Sequence, residues 1–168
     1  LIEMGDKSTF INKYRPYRLT DFCTNDRFKQ AVNTLISVDD LNILFVGNSN
    51  AGKTSLLNTL IREYYDLTST DSLPENNILF VNNLKEQGIQ YFRNDMKTFC
   101  QSMSAIYGKK KLVLIDDIDT INEQSQQVFR NYIDKYRNNI QFICVCNNVQ
   151  KVVESIQSRL HIIQIPSP

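Results

Sequence analysis

Residues Gly47-Asn48-Ser49-Asn50-Ala51-Gly52-Lys53-Thr54 follow the pattern G-x-x-x-x-G-K-[ST]. They come directly after an apolar run, Asn42 to Val46, and open a segment of helical period. A glycine-bearing loop in that context turns successive backbone N–H groups, and the N-terminus of a helix, onto a chain of phosphates. In this pattern Lys53 neutralises the β and γ phosphates, the Thr54 hydroxyl ligates Mg²⁺, and Ser55 continues the phosphate-facing helix start.

A second chemical element is the run Leu112-Val113-Leu114-Ile115, which ends in Asp116-Asp117. Beside a phosphate loop, an acid at the end of an apolar strand holds Mg²⁺ directly or through water, a role that falls to Asp116. A second acid beyond the metal orients and polarises the attacking water, which makes Asp117 the candidate base. The run Gln141 to Cys146 ends in Asn147. If its strand lies between the two that carry the loop and the acids, the Asn147 amide projects toward the γ-phosphate. On its own, an Asn after a strand is an ordinary turn residue.

These residues need a frame that brings the ends of several strands together. Five short apolar runs read as buried strands: Asn42 to Val46, Ile78 to Asn82, Leu112 to Asp116, Gln141 to Cys146 and Ile162 to Ile165. Helical periodicity appears over Asp26 to Ser37, Lys53 to Tyr65, Ile89 to about Ser102, and Asn122 to Tyr136. Alternation of the two predicts a parallel α/β sandwich in one domain. Residues 1 to 24 read as extended or irregular, and the polar stretch Ser69 to Asn77 reads as a surface loop.

Composition excludes several classes. The 168 residues carry 19 Lys plus Arg against 18 Asp plus Glu, a net charge of +1, so the chain is not a generic polyanion binder and any nucleic-acid contact is local. Cys23, Cys100, Cys144 and Cys146 are spaced irregularly, and His161, the lone histidine, gives them no partner at zinc-ligand spacing. They read as buried reduced thiols. Lys109-Lys110-Lys111 reads as a solvated turn ahead of a buried strand. No run approaches the roughly 20 apolar residues that span a bilayer, and the N-terminus has no signal-peptide pattern, which predicts a soluble intracellular protein.

With these elements in order, the chain resembles an AAA+ ATPase, and within that group a small subunit of the replication factor C clamp loader. Phe10-Ile11-Asn12-Lys13-Tyr14-Arg15-Pro16 followed by Leu19-Thr20-Asp21-Phe22 is similar to that family's N-terminal box. Asn82-Asn83-Leu84-Lys85-Glu86-Gln87-Gly88-Ile89, continuing to Arg93, Lys97 and Phe99, resembles N-A-S-D-E-R-G-I and the R-x-x-I-K-x-F that follows it. Ser125-Gln126-Gln127-Val128-Phe129-Arg130 resembles A-Q-x-A-L-R, and Cys146-Asn147 and Ser158-Arg159-Leu160 resemble the family's C-N and S-R-C.

The resemblance implies a five-stranded parallel sheet in the order 5-1-4-3-2. It implies ATP and Mg²⁺ as ligands, with Ile11, Tyr14, Arg15, Pro16 and Cys23 at the adenine, Asn147 as sensor, and Asn82 as a polar switch on the catalytic acid. Arg159 becomes a finger for a neighbouring subunit's ATP, and Gly88, Ile89 and Arg93 a DNA contact. Its implied partners are other subunits of a hetero-oligomer, a pentamer, together with a sliding clamp and primer-template DNA, in the nucleus or at a cytoplasmic viral replication site. Residues 1–168 then form one ATPase core, in which the helical lid and C-terminal collar of a complete subunit are not expected.

The chain departs from the family pattern where the chemistry is most sensitive. Asp117 stands where Glu is usual, which draws the carboxylate back by one methylene, roughly 1.5 Å. A misplacement of about 1 Å can cost on the order of 10²-fold in rate. Asn50 replaces a loop glycine, and Gln87 replaces an arginine of the DNA track. Two other readings stay open on the sequence: a non-catalytic nucleotide-binding assembly subunit, and another AAA+ machine such as an origin initiator or helicase loader.

Overall fold

The computed structural model describes residues 26–47, 53–68, 70–81 and 92–166, with backbone alone at 92 and 93. Five strands form one parallel sheet: β1 (Ile43–Val46), β2 (Ile78–Val81), β3 (Lys111–Ile115), β4 (Ile140–Cys146) and β5 (His161–Gln164), in the order β2-β3-β4-β1-β5. This is the expected order. The strand limits differ from the sequence reading by a residue or so, within the scatter of any boundary assignment.

The period of two along each strand divides the core into two halves. Leu44, Val46, Val113, Ile115, Phe142 and Cys144 face one layer, where α4 (Glu123–Tyr136) supplies Phe129 and Ile133, and the one-turn helix α5 (Glu154–Gln157) supplies Ile156. Ile43, Phe45, Leu112, Leu114, Ile143 and Val145 face the other, where α1 (Asp26–Ser37) supplies Phe28 and Val32, and α2 (Lys53–Tyr64) supplies Leu56, Leu57, Leu60 and Ile61. With helices on both faces, β1, β3 and β4 are buried at every position, which is why they read as unbroken apolar runs. The outer strands β2 and β5 are partly exposed.

Three local results differ from the sequence reading. The helix expected from Ile89 to Ser102 is, over its described part, a π-helical turn Phe92–Met96 running into the short α3 (Lys97–Gln101), and Ser102 ends it with extended backbone. Lys111 is not solvated. It opens β3 at 2% exposure, its Nζ donates to the Phe99 carbonyl at 2.5 Å and to Ser102 Oγ, and it lies 3.7 Å from the Phe99 ring centroid. Burial lowers its pKa. The third is α5, too short for periodicity to reveal.

Cys100, Cys144 and Cys146 are buried free thiols, as expected, and Cys23 lies outside the described residues. Burial pushes Cys146 up to about 11, with the Asp119 charge adding to the effect. Among the described residues no helix is long and apolar enough to cross a membrane.

Candidate nucleotide site

Parallel strands end together, so the C-terminal edge of this sheet gathers the residues that follow β1, β3 and β4. Ligands of open α/β sheets bind at that edge. Because β4 pairs with β1 on one side and β3 on the other, Asn147 stands between the start of the phosphate loop and the acidic pair. The condition that gives Asn147 a functional reading is therefore met.

Gly47 leaves β1 with its N–H donating to the Cys146 carbonyl at 3.0 Å, which carries the β1–β4 ladder one residue further. A Cβ at this position would come within 2.9 Å of Ile165 Cβ, so the close approach of the chain after β5 requires glycine here. Lys53 opens α2 and is 8% exposed, and its ammonium donates to Asn147 Oδ1. Thr54 is exposed and Ser55 half-buried in the first turn of the same helix. Ser55 also accepts a hydrogen bond at its carbonyl from the Thr59 hydroxyl at 2.8 Å.

At the end of β3 the Asp116 N–H donates to the Val81 carbonyl at 3.3 Å, and Asp116 Oδ1 accepts from the Asp117 N–H at 2.9 Å. Burial and the neighbouring Asp117 charge raise the Asp116 pKa, against the lowering effects of the Asp117 N–H and Lys53. Asp117 is exposed and left-handed, with φ 53° and ψ 44°, a conformation Asp tolerates better than most residues. Its carbonyl accepts from the Thr120 N–H and hydroxyl at 2.9 and 2.7 Å, which fixes the turn that follows.

The donor set suits a magnesium ion. An oxygen-only pair, the Thr54 hydroxyl and the Asp116 carboxylate, is the kind of partial shell Mg²⁺ takes when phosphate oxygens and water complete it. A cation would also relieve the repulsion that raises Asp116. Among the described residues no cluster of three His, Cys, Asp or Glu forms a complete metal cage.

Arg159 sits away from this edge group, after α5. Its Nε donates to Asp134 Oδ1 at 2.6 Å and its Nη1 to the Ser155 carbonyl at 2.6 Å, so it is paired to a surface acid within the chain. Gln126 determines where that segment lies. It is 2% exposed, its Nε2 donates to the carbonyls of Ile121 and Lys151, both at 3.0 Å, and its Oε1 accepts the Val153 N–H at 2.8 Å.

Asp119 is a residue that sequence reasoning missed. It accepts the N–H groups of Asn147 and Asn148 at 3.2 and 3.0 Å. A third acid two residues past Asp117 is the only signal of it in the sequence. Ile11, Tyr14, Arg15, Pro16, Cys23, Asn48, Ser49, Asn50, Ala51, Gly52, Asn82, Gly88 and Ile89 lie outside the described residues, as does the side chain of Arg93.

Comparison with known proteins identifies the family. The family model described as "ATPase family associated with various cellular activities (AAA)" matches residues 43–167. The chain is 29% identical over 157 residues to a replication factor C small subunit of Methanocella arvoryzae, covering 93% of this chain and 47% of that protein. It is 30% identical over 159 residues to replication factor C subunit 3 of Oryza sativa, covering 92% of this chain and 43% of that protein. It thus spans about half the length of the curated relatives it matches.

Among solved structures, a DNA polymerase III gamma subunit-related protein of Thermotoga maritima superposes with a TM-score of 0.67 at 15% identity, over 82% of this chain and 46% of that one. A RuvB variant of the same organism gives 0.64 at 17% identity, over 90% and 48%. At such identities these likenesses speak for the fold alone. The match over residues 43–167, on a sheet of the expected order, places the chain in the AAA family of ATPases.

Proposed function

We propose that this chain binds Mg·ATP at the C-terminal edge of its sheet and hydrolyses it as a subunit of a sliding-clamp loader. The observation that carries the nucleotide reading is the hydrogen bond from Lys53 to Asn147, next to the half-buried Asp116. It joins a phosphate-neutralising cation and a γ-phosphate sensor across adjacent strand ends. The clamp-loader reading is supported by the similarity to replication factor C subunits over most of the chain.

In this reading residues 47–55 cradle the phosphates, and Ile11, Tyr14, Arg15, Pro16 and Cys23 flank the adenine. Thr54 and Asp116 hold Mg²⁺, which when bound draws charge from the phosphate oxygens. Asp117 accepts a proton from the water that attacks the γ-phosphorus, the β–γ bridging bond breaks toward ADP, and Asn147 holds the γ-phosphate in line. Asn82 restrains Asp117 until DNA binds, and Gly88, Ile89 and Arg93 meet that DNA. Arg159 serves the ATP of a neighbouring subunit, which couples turnover to assembly on an opened clamp and primer-template DNA inside the cell. Residues 1–168 act as one ATPase core.

Titration calorimetry with Mg·ATP on this chain and on Lys53→Ala tests the reading. Binding by the parent and its loss in the variant are expected. No binding by a folded parent chain overturns it. Capture of the chain's assembly by a sliding clamp separates a clamp loader from an origin initiator or helicase loader. A large rise in ATPase on Asp117→Glu in the assembly would instead mark the native subunit as non-catalytic.

A further inference from the structure

The carboxylate of Asp119 joins two strand ends that no backbone ladder connects at that level. It sits in the 3-10 turn Ile118–Thr120, just past Asp116, and its Oδ2 alone accepts two successive N–H groups, those of Asn147 and Asn148, from the end of β4. Oδ1 is buried and has no hydrogen-bond partner among the described residues. N–H groups where a strand runs out at an exposed turn are ordinarily met by water, and Asn147 and Asn148 are both exposed residues. Here a charged acceptor replaces that water and makes bonds about twice as strong as neutral ones.

This arrangement is not the least costly way to close the turn. The Asp119 charge adds to the repulsion on Asp116 and on the Cys146 thiol, and half of the carboxylate is desolvated without compensation. What it gains is position. Asn147 has its backbone held by Asp119 from the turn after β3 and its side chain held by Lys53 from the start of α2. Its backbone and its amide are thus each tied to a different element, the turn after β3 and the first turn of α2.

We propose that Asp119 is a positioning residue for Asn147, setting the sensor amide at the γ-phosphate and thereby the preference of this site for ATP over ADP. The inference rests on the nucleotide reading above. Both hydrogen bonds of Asp119 go to the backbone at the end of β4, so in this reading its loss acts through Asn147 and spares whatever binds ADP.

The experiment uses the 168-residue chain, with Mg·ATP and Mg·ADP affinities by calorimetry and ¹⁵N–¹H amide spectra for the parent, Asp119→Ala, Asp119→Asn, Asn147→Ala and the double alanine variant. Asp119→Ala is expected to move the Asn147 and Asn148 amide resonances and speed their exchange. It should lower the ATP-to-ADP affinity ratio about tenfold, with ADP affinity unchanged within about twofold. Asn147→Ala should lose the same factor, and the double variant no more than either single one, because both remove one device. Asp119→Asn keeps an oxygen acceptor for the same N–H groups and should recover most of the ratio.

Equal loss for ATP and ADP in Asp119→Ala, or losses that multiply in the double variant, would overturn the proposal. So would fast exchange of the two amides in the parent. If Asp119→Ala does not fold, Asp119→Ser, whose hydroxyl is too short to reach both N–H groups, carries the same expectation. A parent chain that binds no Mg·ATP sinks the nucleotide reading, and the ATP preference with it, while the amide spectra still decide whether Asp119 holds Asn147.

Discussion

The Lys53 ammonium and the Asn147 side-chain oxygen form a hydrogen bond that closes 94 residues of chain and ties the first turn of α2 to the end of β4. Among the described residues this nearly buried cation has a neutral amide as its hydrogen-bond partner and no carboxylate in ion-pair contact, although its charge lowers the Asp116 pKa. The cation is thus held mainly by a dipole, and an anion can still pair with it.

From that imbalance follows a separation of function from stability. Lys53→Met keeps the aliphatic stem, removes the desolvated charge and leaves the exposed Asn147 amide to water. The melting temperature of the nucleotide-free chain is expected to hold within about 2 °C or to rise, while Mg·ATP affinity falls at least about 100-fold. Circular dichroism melts beside calorimetry check both. A variant that unfolds would show that Lys53 holds the fold together.

Asp116 gives the corresponding result for an acid. Its pKa in the folded chain is raised by burial and by Asp117, so the protonated form is the one the fold prefers. The contribution to stability is then fully present below the unfolded carboxylate pKa, near 3.9, and is lost as pH rises through the higher folded value. Asp116→Asn retains an oxygen for the Asp117 N–H and removes the charge. At pH 7 the variant should melt about 1 to 2 °C above the parent, a small gain because the carboxylate is only half-buried, and the gap should close as pH falls toward 4. Mg·ATP-dependent turnover should be lost. A variant less stable at pH 7 than its parent would contradict the assignment of strain to this carboxylate.

The sheet was legible in the sequence because its central strands are covered on both faces. Uninterrupted apolar runs such as Leu112 to Ile115 have no other home in a chain of this length, and the loop beginning at Gly47 identified which strand end comes first. Contacts made by side chains with distant backbone were not legible. Gln126 reads as a polar residue of an amphipathic helix, yet it satisfies two carbonyls and an N–H on two separate segments, the turn before its own helix and the stretch Lys151 to Val153. Lys111 reads as the end of a basic turn, yet its stem enters the core and its head caps the carbonyls that end α3. Asp119 belongs to the same class. Periodicity records which face a residue takes, whereas these residues act through the groups at the end of the side chain.

Gly47 is held by packing. A methyl group added there would stand 2.9 Å from Ile165 Cβ, a branch atom of a buried side chain, next to the hydrogen bond from the Ile165 N–H to the Val46 carbonyl at 2.7 Å, so the neighbour has little room to give. Gly47→Ala is expected to destabilise the chain by about 1 to 3 kcal/mol, as overpacking does, and to lower the melting temperature by about 3 to 10 °C. The loop that follows would be displaced as well, so Mg·ATP affinity should fall more than stability alone explains. An alanine variant with the parent's melting temperature would show that β5 moves freely against β1.

Arg159 and Asp134 provide the last expectation. Their 2.6 Å ion pair joins side chains that are 27% and 48% exposed, and Arg130 approaches the same carboxylate at 3.8 Å. An exposed pair of this kind contributes at most about 1 kcal/mol, so Asp134→Ala should lower the melting temperature by no more than about 3 °C. Its effect on Arg159 should be larger, because Asp134 holds Nε while Ser155 holds Nη1 and together they fix the plane of the guanidinium. The Arg159 Nε–H resonance should be sharp and slow to exchange in the parent and should broaden or vanish in Asp134→Ala. If Arg159 acts on a neighbour's nucleotide, Arg159→Ala should leave Mg·ATP affinity of the single chain unchanged while lowering turnover of the assembly on the order of 10³-fold. Asp134→Ala should fall between parent and Arg159→Ala, since the guanidinium is present but no longer oriented. Full turnover by an assembly carrying Arg159→Ala would reduce Arg159 to what its contacts alone describe, a surface arginine that ties the α5 turn to α4.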